Sequence, residues 1–197
     1  MIDHTMLCNL FGNYSNIHLT SDNHFGHANI IGYTRRPFAN VQDMDNQMIA
    51  RWNTVVNSSD VVIHLGDFTL SGHQDATAYL AQLNGNIIFV APDYHHDKRW
   101  IGTLPCKTMN GRAIYYNSFC LLSGELARID SGHVTLCHYP LEEWDRSFHG
   151  ALHFHGHTHG ALRIIQNRLD VGVDCHKFTP ILLLKAVRLA SSNRRTI

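Results

Sequence analysis

The chain has no Cys-X-X-Cys pair among its five cysteines, Cys8, Cys106, Cys120, Cys137 and Cys175. An odd count without paired spacing fits poorly with a disulfide framework, and a reducing cytosol is the simpler setting. No run approaches the roughly 18 apolar residues of a membrane span. The opening MIDHTMLCNLFGNYSN also lacks the basic stretch followed by an apolar one that marks a secretory leader. A soluble, cytoplasmic protein is therefore expected. Charge is scarce too: charged residues make up 16%, and 16 Lys and Arg balance 16 Asp and Glu. That balance disfavours a broad nucleic-acid surface, because such binding draws on basic side chains that neutralise phosphates. With 197 residues, 44% of them hydrophobic, one domain spanning 1–197 with a substantial core is expected. No internal repeat, low-complexity segment or linker interrupts it.

What the chain has in abundance is histidine, 16 residues, as many as Lys and Arg combined. Histidine is the commonest metal ligand and the usual proton shuttle near neutral pH. The positions of these residues matter more than their number.

Short runs rich in Val, Ile and Phe read as buried strands: Ile17 to Thr20, Val61 to Leu65, Ile87 to Ala91 and Val134 to Cys137. Between the first two, Met44, Met48, Ile49 and Trp52 fall on one helical face. Ser71 and Gln74 resemble a capping box ahead of Ala76, Tyr79, Leu80 and Leu83, and Asn84-Gly85 stops that second helix. The first half thus alternates strand and helix, as parallel strands with crossover helices do. From about Ala113 onward, short strands with turn signals at Asp130-Ser131-Gly132 and Gln166-Asn167 are expected, with little helical periodicity, ending in the apolar Ile181 to Val187. Two packed sheets flanked by helices accommodate both halves.

Asp and His recur just beyond the expected strands. Asp22 and His24 follow the first, Asp67 the second, and His95, His96 and Asp97 the third. His138 follows the fourth, and Gly156-His157-Thr158-His159-Gly160 follows Ala151 to Phe154. Ligands of open α/β sheets bind beyond the carboxyl ends of strands, so these groups are expected to converge. Singly, each has a plainer reading: Asp67 as a helix cap, His138 as a satisfied half-buried histidine. His157 and His159 say more, because alternation along an extended segment would put both imidazoles on one face.

In this order the residues resemble the calcineurin-like metallophosphoesterase superfamily, whose pattern is Asp-X-His, Gly-Asp, Gly-Asn-His-Asp, a lone His and Gly-His-X-His. Four of these five blocks stand between Asp22 and His159: Asp22-Asn23-His24, Gly66-Asp67, His138 and Gly156-His157-Thr158-His159. The stretches SDNHFGH, RPF, HLGD, HYPLE and LDVGVD are similar to a small bacterial and phage branch of it. The resemblance implies an α/β fold, a four-layer α-β-β-α sandwich of two mixed sheets flanked by helices. It implies a phosphoesterase that cleaves a phosphodiester or phosphomonoester with a hydroxide activated by a dinuclear metal centre. Asp22, His24 and His159 would bind one metal, His138 and His157 the other, and Asp67 would bridge them. Carboxylates and imidazoles suit two divalent transition metals such as Mn, Fe or Zn. Two cations about 3.5–4 Å apart can clamp phosphate oxygens.

The third block departs from the pattern, reading Asp93-Tyr94-His95-His96-Asp97 after Pro92. Counted back from Asp97, His96 takes the place of the family's catalytic His, which protonates the leaving oxygen or stabilises its charge. His95 then replaces the Asn ligand of the second metal, with Asp93 as its rival. Arg35 and Arg36 before Pro37 read either as a solvated pair or, at Arg36, as a substrate phosphate clamp. Trp100 reads as core ahead of a base-stacking platform. A small phosphate ester is the expected substrate, with no membrane partner and nucleic acid possible but not favoured. The competing functions are a nuclease of the same superfamily and a metal-binding scaffold with little turnover.

Overall fold

Strands buried on both faces are rich in apolar side chains, with an occasional buried polar one, and the runs rich in Val, Ile and Phe are where strands form. In a computed structural model, which describes residues 14–70, 73–90, 97, 100, 115–116, 120–122 and 134–192, the strands are β1 (Ile17–Thr20), β2 (Val61–His64), β3 (Asn86–Val90), β4 (Tyr115–Tyr116), β5 (Cys120–Leu122), β6 (Val134–Leu136), β7 (Leu152–His155), β8 (Arg168–Asp170) and β9 (Ile181–Leu182). The α-helices among the described residues are α1 (Ala28–Tyr33), α2 (Val41–Val55), α3 (His73–Leu80) and α4 (Leu183–Ser192). The fold is mixed α/β with two sheets. One has the order β4-β3-β2-β1-β9, the other β5-β6-β7-β8. In the first, β1 to β4 run parallel and β9 antiparallel; in the second, β6 to β8 run parallel and β5 antiparallel.

Side-chain alternation along β2 divides the core. Val61, Ile63 and Leu65 join Val134, Leu136, Leu152 and Phe154 of the second sheet in one cluster. Val62 faces the other way, joining Ile87, Phe89, and Met44, Met48 and Trp52 of α2. The expected face of α2 is the buried one, with Ile49 packed at its edge. Asn40 caps this helix by accepting from the Asp43 N–H at 3.0 Å, and the Asp43 carboxylate accepts from the Ala39 N–H at 3.0 Å, a reciprocal cap. Trp52 is fully buried and donates its indole N–H to Asn84 O at 3.0 Å. Trp52→Ala is expected to cost about 3–5 kcal/mol. Helix α3 forms where expected, with Ala76 and Leu80 buried. The Ser71 of its anticipated capping box lies outside the described residues.

The end of the chain differs from expectation. Only Ile181–Leu182 of the apolar run is strand, and Leu183–Ser192 is helix, burying Leu183, Ala186, Val187 and Ala190. The spacing i, i+3, i+4, i+7 is helical, but two of the four positions are alanines, so the hydrophobic signal is faint. This helix enters the cluster shared by both sheets. The outer face of the second sheet, where His153 sits, is covered by the segment leading into β7. The Leu141 N–H donates to His153 Nε2 at 3.0 Å, and the Trp144 ring lies 5.3 Å from that imidazole. Among the described residues no helix is long and apolar enough to cross a membrane.

Candidate metal centre

The parallel strands β1 and β2 end side by side, and their loops stay paired beyond the sheet. Asp22 N donates to Gly66 O, His24 N to Asp67 O and Phe25 N to Phe68 O, each at 2.9 Å. Asp22, His24 and Asp67 therefore emerge together. The second sheet meets them from the other side, since Gly156 N donates to His138 O at 3.0 Å and the His157 N–H donates to both Asp22 oxygens, at 3.0 and 2.9 Å. A Cβ at Gly156 would run into Ser21 Oγ and Asp22 Oδ2, so the residue must be glycine for the loops to approach this closely.

Two ligand groups result. Asp22, His24 and His159 offer ligand atoms within 4.8 Å of one another, and so do Asp67, His138 and His157. Asp67 lies between the groups, its Oδ2 at 3.3 Å from His138 Nε2 and 3.6 Å from His24 Nε2. The two histidines of Gly-His-X-His are not neighbours on an extended face, as alternation had suggested. His157 joins one group and His159 the other, through turns at φ 70° and 48°. Asp22, His24 and Asp67 also have positive φ, at 60°, 54° and 55°. Five of the six residues thus hold a left-handed conformation that typically costs on the order of 1–3 kcal/mol each and persists where the surroundings over-determine it. Asp and His tolerate this region better than bulkier residues do.

Burial dominates the electrostatics of the site. Asp22 is fully buried, and burial, with the Asp67 and Asp170 carboxylates adding to it, raises its carboxyl to about 6 against the pull of His138 and His159. Burial lowers His24 to about 3, and neither of its ring nitrogens has a hydrogen-bond partner. A cation would satisfy both deficits at once: it would give the orphaned imidazole a bond and the desolvated carboxylate a counter-charge. An Asp and His donor set fits Mn, Fe or Zn.

Supporting contacts decide which nitrogen each ligand presents. His159 donates from Nδ1 to Asp174 Oδ2 at 2.8 Å, and His138 from Nδ1 to Leu65 O at 3.0 Å, so each turns Nε2 toward its group. Burial works against charge on His159, but the Asp174 hydrogen bond and the Asp22 and Asp174 carboxylates outweigh it and raise its pKa. Burial likewise works against the Asp174 carboxylate, yet His159 and Arg36 bring it down to about 2. Asp97 holds the Asp67 loop, accepting from Phe68 N at 3.1 Å and Thr69 N at 3.2 Å. His64 accepts from Gly66 N at 3.0 Å and so donates from Nε2 to Asn23 Oδ1 at 2.8 Å.

Arg36 does not stand where a phosphate clamp would. Its guanidinium is buried and donates to Asp174 at 2.9 and 2.7 Å, to Asn23 O at 2.8 Å and to Asp22 O at 2.7 Å. The fork is spent on the protein's own loops. Arg35 is exposed. Trp100 is core, packed against Phe68 and Phe89 and donating to Asp97 at 3.0 Å. His96, His95 and the latter's rival Asp93 lie outside the described residues. Asp174 was not singled out by its chemistry; its trace in the sequence is the LDVGVD stretch.

No family model matches the chain. It is 33% identical over 192 residues to the uncharacterized protein MJ1445 of Methanocaldococcus jannaschii, an alignment covering 92% of this chain and 96% of that protein. The chain belongs to that protein's family. The crystal structure of AQ665 from Aquifex aeolicus, a protein of unknown function, has the same fold, with a TM-score of 0.62 over 88% of this chain and 98% of that one at 20% identity.

Proposed function

We propose that this chain is a phosphoesterase of the calcineurin-like metallophosphoesterase superfamily, with a four-layer α-β-β-α sandwich and two divalent transition metals, Mn, Fe or Zn. The observation that carries the reading is the pair of Asp and His groups with Asp67 between them, drawn from four strand-end loops in the order this chemistry uses. When bound, two such cations would neutralise a phosphate group and lower the pKa of water at the site. Asp22 and Asp67 supply negative charge against the cations' mutual repulsion. The Asp22 carboxylate also fixes the loop of His157 by accepting its N–H. His96 is assigned the proton delivered to the leaving oxygen, and His95, or Asp93, a place beside the second group.

A small phosphodiester or phosphomonoester suits the zero formal charge better than a polynucleotide does, and a cytosolic setting suits the free Cys137 and Cys175. The altered third block favours a second reading, a metal-binding scaffold with little turnover. One experiment separates these readings. Protein expressed with Mn, Fe and Zn available is analysed for metal and assayed on bis-p-nitrophenyl phosphate, p-nitrophenyl phosphate and single-stranded DNA. Close to two ions per chain with metal-dependent cleavage of the small esters is expected. Metal without turnover on any substrate supports the scaffold, and absence of metal sinks both.

A further inference from the structure

The Arg36 guanidinium and the Asp174 carboxylate face each other across 138 residues of sequence, and neither side chain belongs to a ligand group. Each nonetheless reaches one part of the same group. Asp174 Oδ2 accepts from Arg36 Nη2 at 2.7 Å and from His159 Nδ1 at 2.8 Å. Arg36 donates to the carbonyls of Asp22 and Asn23, the loop that carries Asp22 and His24 at left-handed φ. The ion pair thus spans all three members of the Asp22, His24 and His159 group. The Asp67, His138 and His157 group has direct supports of its own, the Leu65 carbonyl beneath His138 and the Asp97 carboxylate beneath the Asp67 loop, and meets the first group where the Asp22 carboxylate accepts the His157 N–H.

We infer that Arg36 and Asp174 are a positioning pair that sets the cation affinity of the Asp22, His24 and His159 group and acts on the other group only at one remove, through Asp22. The inference rests on the two-cation reading of the site. Asp174 directs His159 by holding Nδ1 as the donor, which leaves Nε2 to face the cation. It also neutralises a guanidinium that would otherwise stand buried and uncompensated beside a bound cation. Arg36 holds a strained loop from beneath through two carbonyls, which a lysine with its single charged nitrogen could not fork across.

The test uses cation affinity. Mn is titrated into the full chain by calorimetry, with His138→Ala isolating the first group and His24→Ala the second. Asp174→Asn in the His138→Ala background should weaken binding by roughly 10–100-fold, the usual cost of losing an outer-shell partner. In the His24→Ala background the loss should be at least several-fold smaller. Arg36→Lys should repeat the pattern more weakly. Equal losses in both backgrounds, or no loss in the first, overturn the inference. A second measurement needs no variant: nitrogen-15 spectra of histidine-labelled wild type should show His159 carrying its proton on Nδ1, with Nε2 shifting when Zn is added. A proton on Nε2 with Nδ1 shifting would overturn it even if Asp174→Asn fails to fold. A wild-type chain that binds no cation defeats the two-cation reading itself, whereas one that binds two with Asp174→Asn unaffected defeats the positioning role alone.

Discussion

The two ligand groups are alike in composition, one carboxylate and two imidazoles each, yet they are held by different means. The first has Asp22 and His24 buried and His159 half-buried, and side-chain charges support it from behind through Asp174 and Arg36. The second has Asp67 and His138 buried but His157 exposed, and its supports are a backbone carbonyl, the Asp97 carboxylate and the Tyr139 ring, 4.6 Å from His157 and 4.8 Å from His138. A half-site tied by a buried ion pair is pre-shaped. One with an exposed imidazole is more open to exchange and to whatever docks from solvent, and within the proposed function that is where substrate would enter.

The strongest way to break this distinction is at the residue the groups share. Asp67→Asn keeps an amide tolerant of left-handed φ but removes the charge lying between His24 and His138. Turnover of the small esters should fall by more than the roughly 10–100-fold that outer-shell changes cost, and both Mn affinities should fall together. Wild-type turnover by a folded Asp67→Asn would show that the groups work separately. Gly156→Ala should act on the first group, since the added Cβ meets Ser21 Oγ and Asp22 Oδ2. It should lower stability by about 3 kcal/mol and weaken the first cation more than the second, as melts and Mn titrations would show. If both cations weaken equally, the Gly156 contact does not favour one group.

Acid sensitivity of the fold needs separating from acid loss of metal, and a histidine in neither group permits it. His153 is fully buried, donates from Nδ1 to Thr135 O at 3.1 Å and accepts at Nε2 from Leu141 N at 3.0 Å. Only the neutral ring can do both, and burial, with the neighbouring His155 and Arg168 opposing charge, brings its pKa to about 3. The folded pKa lies below the unfolded value of 6.5, so the unfolded chain binds the extra proton between them. Stability is full above 6.5 and is lost as pH falls toward 3. Metal-free protein should lose up to about 2 kcal/mol from this residue between pH 6.5 and 5. His153→Gln, whose amide can donate and accept in the same places, should flatten the pH dependence of the melt by that amount. An unchanged slope would assign the acid loss to other buried groups such as His24.

Much of the site was legible because ligand-binding loops follow strands and these strands announce themselves. Val61 to Leu65 is apolar at every position but His64 because both its faces are buried, and Asp67 stands just beyond it. What could not be read are relations that depend on distant partners or on backbone handedness. Arg36 beside Pro37 looks like an exposed phosphate clamp until its partner, Asp174, is seen. The division of His157 and His159 between groups was implied by the resemblance alone, since it turns on two positive φ angles that no periodicity encodes. Helix α4 was hidden because Ala186 and Ala190 carry half of its buried face.

The smallest expected effect concerns His95, proposed as a further ligand of the second group. His95 stands where the resemblance places an Asn ligand, so an imidazole nitrogen would replace an amide oxygen beside Asp67, His138 and His157. Imidazole suits Fe and Zn, whereas the harder Mn favours oxygen donors. His95→Asn should therefore leave the fold and the total metal bound unchanged while moving the activating metal toward Mn, and His96→Ala should spare metal content and slow only turnover. Because the first group is built from other loops, neither change should alter its affinity, measured in the His138→Ala background. Metal loss in His96→Ala with none in His95→Asn would exchange the two roles. Metal loss in Asp93→Ala alone would make that carboxylate the ligand, giving the second group two carboxylates to the first group's one and a preference for Mn from the start.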